Sequence, residues 1–171
     1  MTPARQSLIV AAFLLLASVF QGNLAHAIVI HRAEPDFPLI VLACGANLIG
    51  DNYAVGLALW TGLLNAVMLP QYMGSCLVSR TLAGAFAGGL KSSVIRDSVV
   101  VPPLIVFFTT LVAHLVYAAM NPHSWLHHAS QWAHEVGGQL IYNTLLSYPV
   151  YYLLRRCNVG MPKDNPFGRV P

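Results

Sequence analysis

The sequence predicts an all-α integral membrane protein built as a six-helix transmembrane bundle. Of its 171 residues, 56% are hydrophobic and 9% are charged, and the mean hydropathy is +0.61. A soluble domain normally carries about 25% charged residues, so nine basic and six acidic side chains are too few to coat a water-soluble globule. Because a helix needs roughly 20 apolar residues to cross a bilayer, the chain has room for five or six spans and no additional soluble domain.

Apolar runs separated by short polar segments divide the chain into six predicted spans, which form a single transmembrane domain over residues 1–156. The first run has a signal-peptide alternative, since a basic start, an apolar stretch and Ala25-His26-Ala27 also match a leader with its cleavage site. We favour a retained span, because Ile28-Val29-Ile30 prolongs the apolar run. The predicted spans are about residues 7–30, 37–49, 53–69, 73–90, 99–120 and 139–154.

Polar and turn-forming residues set the limits of these runs. The hinge over residues 31–36, which includes Asp36, is expected at a watery edge, and Gly50-Asp51-Asn52 indicates a tight turn. Pro102-Pro103 opens the fifth run, where the first turn of a helix tolerates proline. The tail over residues 157–171 has three prolines and no apolar periodicity, so it is predicted to be a cytoplasmic segment that is extended or disordered.

The positions of the basic residues predict the topology. With six spans, seven basic residues fall on one side, only Arg32 falls on the other, and Arg80 lies within a span. This bias follows the positive-inside rule and places both termini in the cytoplasm. The seven residues are Arg5, Lys91, Arg96, Arg155, Arg156, Lys163 and Arg169.

Arg80 is the residue of the spans that most needs a partner, because a buried arginine costs at least about 2.5 kcal/mol on insertion scales. Asn65 of the third span is the candidate partner, as is Asp51 if it can reach. Gly84 and Gly88 form a G-x-x-x-G pair that lets two helices approach closely. These residues predict a helix-packing or partner-binding interface; alternatively, Arg80 snorkels or pairs inside the bundle.

The segment over residues 121–138 is expected to lie outside as an interfacial helix rather than to span. An apolar stripe with two aromatic anchors recurs there at helical spacing, which is typical of a helix lying in the interface; it comprises Trp125, Ala129, Trp132 and Val136. His123, His127 and His134 share one side and raise a metal-site alternative. We predict their role as the polar face of the helix, without a metal or other cofactor.

Enzymatic and transport chemistry find little support in the sequence. No Asp or Glu lies in the middle of a predicted span, which argues against proton-coupled transport. His114 lies in the fifth span and could meet a serine, but the sequence has no G-x-S-x-G elbow. A net charge of +3 without a basic cluster predicts no nucleic-acid partner. We therefore predict a protein that is not an enzyme.

Several local motifs resemble those of the rod shape-determining protein MreD family over roughly residues 7–156. They are RAEPDFPL at residues 32–39, Gly56-Leu57-Ala58, Gly62-Leu63-Leu64, and SRTLAG through Gly88 at residues 79–88. The closest piece is YNTLLSYPV at residues 142–150, followed by the basic pair Arg155-Arg156. Family members often carry an acid where this chain has Asn65.

The resemblance implies a non-enzymatic subunit of the elongation machinery in the cytoplasmic membrane of a rod-shaped bacterium. Its fold would be similar to the six-helix substrate-binding subunit of energy-coupling-factor transporters. Its partners would be the single-span protein MreC, cytoplasmic MreB filaments and the peptidoglycan synthases, and a homodimer is left open. MreC would pack on the Gly84/Gly88 face and near Trp125 and Trp132. Basic residues would contact MreB or anionic lipid, or serve only as topology determinants; they are Lys91, Arg96, Arg155 and Arg156.

A second function is compatible with the same fold. A vitamin-binding subunit of an energy-coupling-factor transporter would need a pocket on the outer side with convergent polar groups. The polar ends of the first and sixth spans offer such a lining, namely Asn23, His26, Tyr142 and Asn143.

Overall fold

The computed structural model describes residues 2–24, 29, 33–90, 100–126 and 129–160, without the side chains of residues 24, 51, 52, 124 and 125. Every regular element in these ranges is helical, which confirms the predicted all-α class. The helices are α1 (Pro3–Leu24), α2 (Phe37–Ile49), α3 (Asp51–Met68), α4 (Met73–Gly89), α5 (Val101–Met120), α6 (Pro122–Leu126) and α7 (Ala129–Arg156), and a short 3-10 helix (Pro70–Tyr72) precedes α4.

The helix limits agree with the apolar runs at α2 to α5 and differ at the first and last spans. Helix α1 begins at Pro3, and the leader-like motif at residues 25–27 lies outside the described residues. Helix α7 begins at Ala129, ten residues before the predicted sixth span. The second half of the predicted interfacial segment is therefore the start of α7, continuous with the span rather than a separate helix.

Helix α2 is the central helix of the bundle. It contacts α1, α3, α4, α5 and α7, and ten of its 13 residues are buried. This explains why the run is apolar on every side, as expected for a helix enclosed by others. At about 1.5 Å per residue it is only about 20 Å long, and its first turn is enclosed by its longer neighbours, since Asp36 is only 6% exposed.

Small residues bring α3 and α4 together. A Cβ at Gly84 of α4 would lie 2.3 Å from the Cβ of Ala58, and one at Gly62 of α3 would lie 3.0 Å from the Cα of Leu77. Real side-chain atoms cannot approach so closely, so the glycines set the separation of the two helices. Such contacts are the usual means of close packing between apolar helices.

Among the helices of the described residues, two are long and apolar enough to cross a membrane. These are the stretches Pro3–Asn23 in α1 and Val101–Met120 in α5. The latter begins with Pro102 and Pro103 in its first turn, as the sequence predicted. Length and apolarity alone also fit the core helix of a soluble protein or a signal sequence.

The chain directly after α7 packs against the bundle, contrary to the prediction of an extended or disordered tail from residue 157. The amide of Gly160 donates to Oε1 of Gln6 at 3.3 Å, and Val159 is fully buried. The turn requires positive φ at Asn158 (60°) and at Gly160 (81°), where a Cβ would lie 2.9 Å from Leu48. The start of α1 and the end of α7 therefore lie at one end of the bundle. Residues 161–171 lie outside the described residues.

Val159→Ala is expected to destabilise the protein by about 2 kcal/mol, because it removes two fully buried methyl groups. Thermal unfolding followed by circular dichroism in detergent micelles measures the loss. Leu153→Ala is the matched control, since Leu153 is 47% exposed on the same terminal stretch. Equal stability of Val159→Ala and the parent would show that the segment after α7 does not pack.

Candidate functional site

A buried carboxylate marks the site. Asp36 is the N-cap of α2, where its Oδ1 accepts a hydrogen bond from the amide of Leu39 at 3.0 Å, a role that aspartate commonly fills. The residue is only 6% exposed. The prediction that Asp36 lies at a watery edge is wrong, because α2 is too short to bring its first turn to the end of the bundle.

The partner of Asp36 is Arg80 of α4. Nη2 of Arg80 lies 2.5 Å from Oδ2 of Asp36. With the Asn65 amide oriented so that its oxygen faces the guanidinium, that oxygen accepts from Nε at 3.0 Å and from Nη2 at 2.8 Å. The structure thus places Asn65 of α3 against Arg80, as the sequence suggested. It adds Asp36 as the counter-charge, a partner that the sequence did not indicate.

Asn143 of α7 extends this cluster to two further helices. Its Oδ1 accepts from the amide of Asp36 at 2.9 Å, and its Nδ2 donates to Oγ1 of Thr110 of α5 at 3.3 Å. Asn143 and Thr110 are both fully buried. One polar network, formed by Asp36, Asn65, Arg80, Thr110 and Asn143, therefore connects α2, α3, α4, α5 and α7.

The network fixes the register of these helices more than it adds net stability. Attraction within a buried ion pair is largely offset by the cost of removing both charges from water. Removing one partner, however, leaves a buried group unsatisfied and is expensive. Any shift of one helix along its neighbours would break such bonds, so the network selects one arrangement of the bundle.

Asn143→Leu is expected to destabilise the bundle by about 1–3 kcal/mol, because it leaves the amide of Asp36 and the hydroxyl of Thr110 without this partner. Equilibrium unfolding in mixed micelles measures the change. Thr144→Val is the control on the next residue, whose hydroxyl bonds only the Leu140 carbonyl of its own helix at 2.6 Å. A loss for the control as large as that for Asn143→Leu would contradict the network.

A cavity of about 280 Å³ lies beside the network. One wall is polar and carries Asp36, Asn65, Ser79 and Arg80. His114 of α5 and Gln139 of α7 also line it. The cavity therefore lies between α3, α4, α5 and α7, with the ion pair in its wall.

The remaining lining is apolar and aromatic. Tyr117 and Trp132 supply the rings, and Leu69, Ala113 and Val136 supply the aliphatic surface. Glu135 also lines the cavity and is exposed, so it marks the side open to solvent. Trp132 was predicted to anchor an interfacial helix, but the structure places it half-buried in this wall.

Two nitrogens in the lining residues have no hydrogen-bond partner among the described residues. They are Nη1 of Arg80 and Nε2 of His114, both buried atoms. A buried donor without a partner costs about 1–3 kcal/mol, and more when it is charged. Two buried nitrogens in the lining residues of the cavity are therefore left to bind a polar group from outside the described residues.

The predicted partner-binding residues of α4 face inward instead. Gly84 lies against Ala58 and Leu42, and Gly88 is buried, so α2 and α3 already occupy this face and leave no room for a partner helix.

The side chains of Asp51 and Trp125 lie outside the described residues, as do Lys91 and Arg96. Arg155 and Arg156 end α7 and are exposed, with the guanidinium of Arg155 5.8 Å from the ring centre of Tyr151.

The sequence left two further alternatives open, a vitamin pocket and a metal site. Of the predicted vitamin-pocket lining, Asn23 donates to the Val19 carbonyl of its own helix at 2.8 Å, and Asn143 belongs to the network. His26 lies outside the described residues, as does His127 of the metal alternative. In the part of the chain that is described, no three His, Cys, Asp or Glu side chains lie close enough to hold a metal ion.

Sequence reasoning missed Asp36, His114 and Gln139 as members of one site. A signal for Asp36 was present, because the 13-residue apolar run that follows it is too short to cross a bilayer and has no polar face. Such a run predicts an enclosed helix, whose capping residue must then be buried. No comparable signal exists for His114 and Gln139, because their meeting depends on how α5 and α7 pack.

Comparison of the chain with protein-family models, with curated proteins and with solved structures gave no match.

Proposed function

We propose that the bundle is a multi-pass protein of the bacterial cytoplasmic membrane with both termini in the cytoplasm. Its outer surface supports this, because large apolar side chains project from several helices. Leu8 is 72% exposed, Val67 77% and Leu145 65%. Polar groups gather inside instead, around Asp36 and Arg80. Lipid is the solvent that suits such an inverted distribution, and the shared end of α1 and α7 fits an even number of spans.

Within that membrane, we propose that the chain acts as a non-enzymatic scaffold of the elongation machinery, of the MreD type. This proposal rests on the positions of the network residues in the sequence. Asp36, Arg80 and Asn143 come from the three separate segments that resemble the family at residues 32–39, 79–88 and 142–150. Residues that are distant in sequence but share the resemblance thus meet at one structural centre.

The proposed scaffold binds MreC through an outward face, since the Gly84 side is filled. Helix α4 offers a stripe of exposed apolar residues at helical spacing, namely Val78, Leu82 and Phe86. A rigid bundle that presents such a stripe suits a protein that holds another helix in a fixed position. Through MreC it would connect MreB filaments inside the cell to the peptidoglycan synthases outside.

Affinity purification from detergent-solubilised membranes of a rod-shaped host tests this proposal. Tagged parent protein should recover MreC, and depletion of the chain should make the cells round. Leu82→Trp should lower MreC recovery, whereas Leu145→Trp, on an exposed position of α7, should not. Recovery of the intact protein without MreC, or normal rods after depletion, would contradict the scaffold function.

The cavity favours a second candidate, the substrate-binding subunit of an energy-coupling-factor transporter. A polar-walled cavity between helices is the feature such a subunit needs, although the lining differs from the predicted one. The two candidates separate in the same purification, because this one requires recovery of an ATP-hydrolysing transporter module instead of MreC. A native mass spectrum with a bound vitamin would favour it further.

A further inference from the structure

We propose that the cavity between α3, α4, α5 and α7 binds a small uncharged molecule that presents a carbonyl oxygen and a flat, apolar ring. This inference goes beyond the scaffold function and does not depend on it. It rests on three features of the described residues: two buried nitrogens without partners, the balance of charge in the wall, and the aromatic side chains opposite.

The two buried nitrogens define the polar end of the ligand. Nη1 of Arg80 can only donate a hydrogen bond, and Nε2 of His114 can donate in one tautomer. Both side chains line the cavity. A carbonyl oxygen has two lone pairs and can accept from Nη1 of Arg80 and, when the imidazole carries its proton on Nε2, from His114.

The charge of the wall excludes an anion or a cation as the preferred ligand. The charge of Arg80 is already balanced by Asp36 at 2.5 Å, so an entering carboxylate would bring an uncompensated negative charge beside that of Asp36. The exposed carboxylate of Glu135 opposes an anion further. A cation would face the guanidinium and would leave Nη1 of Arg80, which can only donate, without an acceptor. An uncharged acceptor avoids these costs of burying an unpaired charge.

The rest of the cavity suits the apolar body of the ligand. Tyr117 and Trp132 line it with rings, and Ala113 and Val136 add aliphatic surface. A cavity of about 280 Å³ is near the lower limit for small-molecule sites. It therefore admits a single substituted ring rather than a dinucleotide or a complete lipid.

Ligand-observed saturation-transfer NMR on the full-length protein in detergent micelles tests this inference with three probes of one shape. Benzamide is uncharged with a carbonyl, benzoate is its anionic counterpart, and benzylamine is its cationic counterpart. Benzamide should bind at least about fivefold more tightly than either charged probe, since one satisfied hydrogen bond is worth about that factor. This comparison needs only the parent protein.

Variants locate the binding. Arg80→Lys keeps a positive charge for Asp36 but removes Nη1, and His114→Phe removes Nε2; each should weaken benzamide binding about fivefold. Leu115→Ala is the control, because Leu115 neighbours His114 in the chain but is 53% exposed. Preference for benzoate or benzylamine, no binding of benzamide, or equal binding by folded His114→Phe and parent would each overturn the proposal. Because MreC recovery is measured separately, failure here leaves the scaffold test intact.

Discussion

Asp36→Asn is expected to destabilise the bundle by about 3–5 kcal/mol, although the substitution preserves the shape of the side chain. Asparagine is an equally good N-cap for α2, so the substitution removes the charge while retaining the contact with Leu39. The guanidinium of Arg80, whose side chain is 13% exposed, would then be a buried charge without a counter-ion. Breaking one side of such a pair typically costs this amount. Equilibrium unfolding in mixed micelles measures it.

A double variant separates the lost charge balance from other effects. Asp36→Asn combined with Arg80→Gln removes both charges and should recover most of the lost stability, because a neutral buried pair has no charge to compensate. Glu34→Gln is the control, since Glu34 lies two residues away and is only half-buried. If the double variant is no more stable than Asp36→Asn alone, the ion pair is not what this position requires.

Gly84→Ala is expected to cost about 1–3 kcal/mol, although alanine is the better helix former. The new Cβ would lie 2.3 Å from the Cβ of Ala58, so α3 and α4 must separate. Thermal unfolding in micelles measures the loss. The same movement would disturb Asn65 and Arg80, which lie on these two helices.

Two further variants test the origin of that cost. Ala58→Gly in the Gly84→Ala background removes the clashing atom and should restore part of the stability, since the next contact, with Leu42, is at 3.3 Å. Gly137→Ala on α7 has no neighbouring atom within 4 Å and should stabilise the protein by about 0.5 kcal/mol. A loss at Gly137 equal to that at Gly84 would exclude the close contact as the cause.

The helices were the most predictable part of this protein. Apolar runs bounded by Gly50, by Pro70 and by Pro102-Pro103 placed the limits of α2, α3, α4 and α5 within about two residues. These limits depend on local chemistry, because glycine and proline change the backbone wherever they occur. The start of α7 was misplaced, because polar residues at 129–138 interrupt the apolar run without interrupting the helix.

The site was predictable only in part. Arg80 was identified by its cost in an apolar run, and Asn65 was proposed as its partner because both lie in neighbouring spans. The inference that the protein lacks buried acids was wrong, because Asp36 is only 6% exposed. This burial was missed because Asp36 belongs to a polar segment of the sequence and not to an apolar run. The G-x-x-x-G pair predicted close helix packing but not which helix fills it; the structure assigns that contact to α3 within the same chain.

The sequence by itself determined that the protein is all-helical, where most helices begin and end, and that Arg80 requires a partner. These properties follow from hydropathy, from turn-forming residues and from the cost of burying a charge. Only the tertiary structure decided that Asp36 is that partner and that Asn143 of α7 joins them, 107 residues from Asp36. The reason is geometric: α2 is shorter than the helices around it, so its polar cap lies inside the bundle, and which side chains meet that cap depends on how α4 and α7 pack against it.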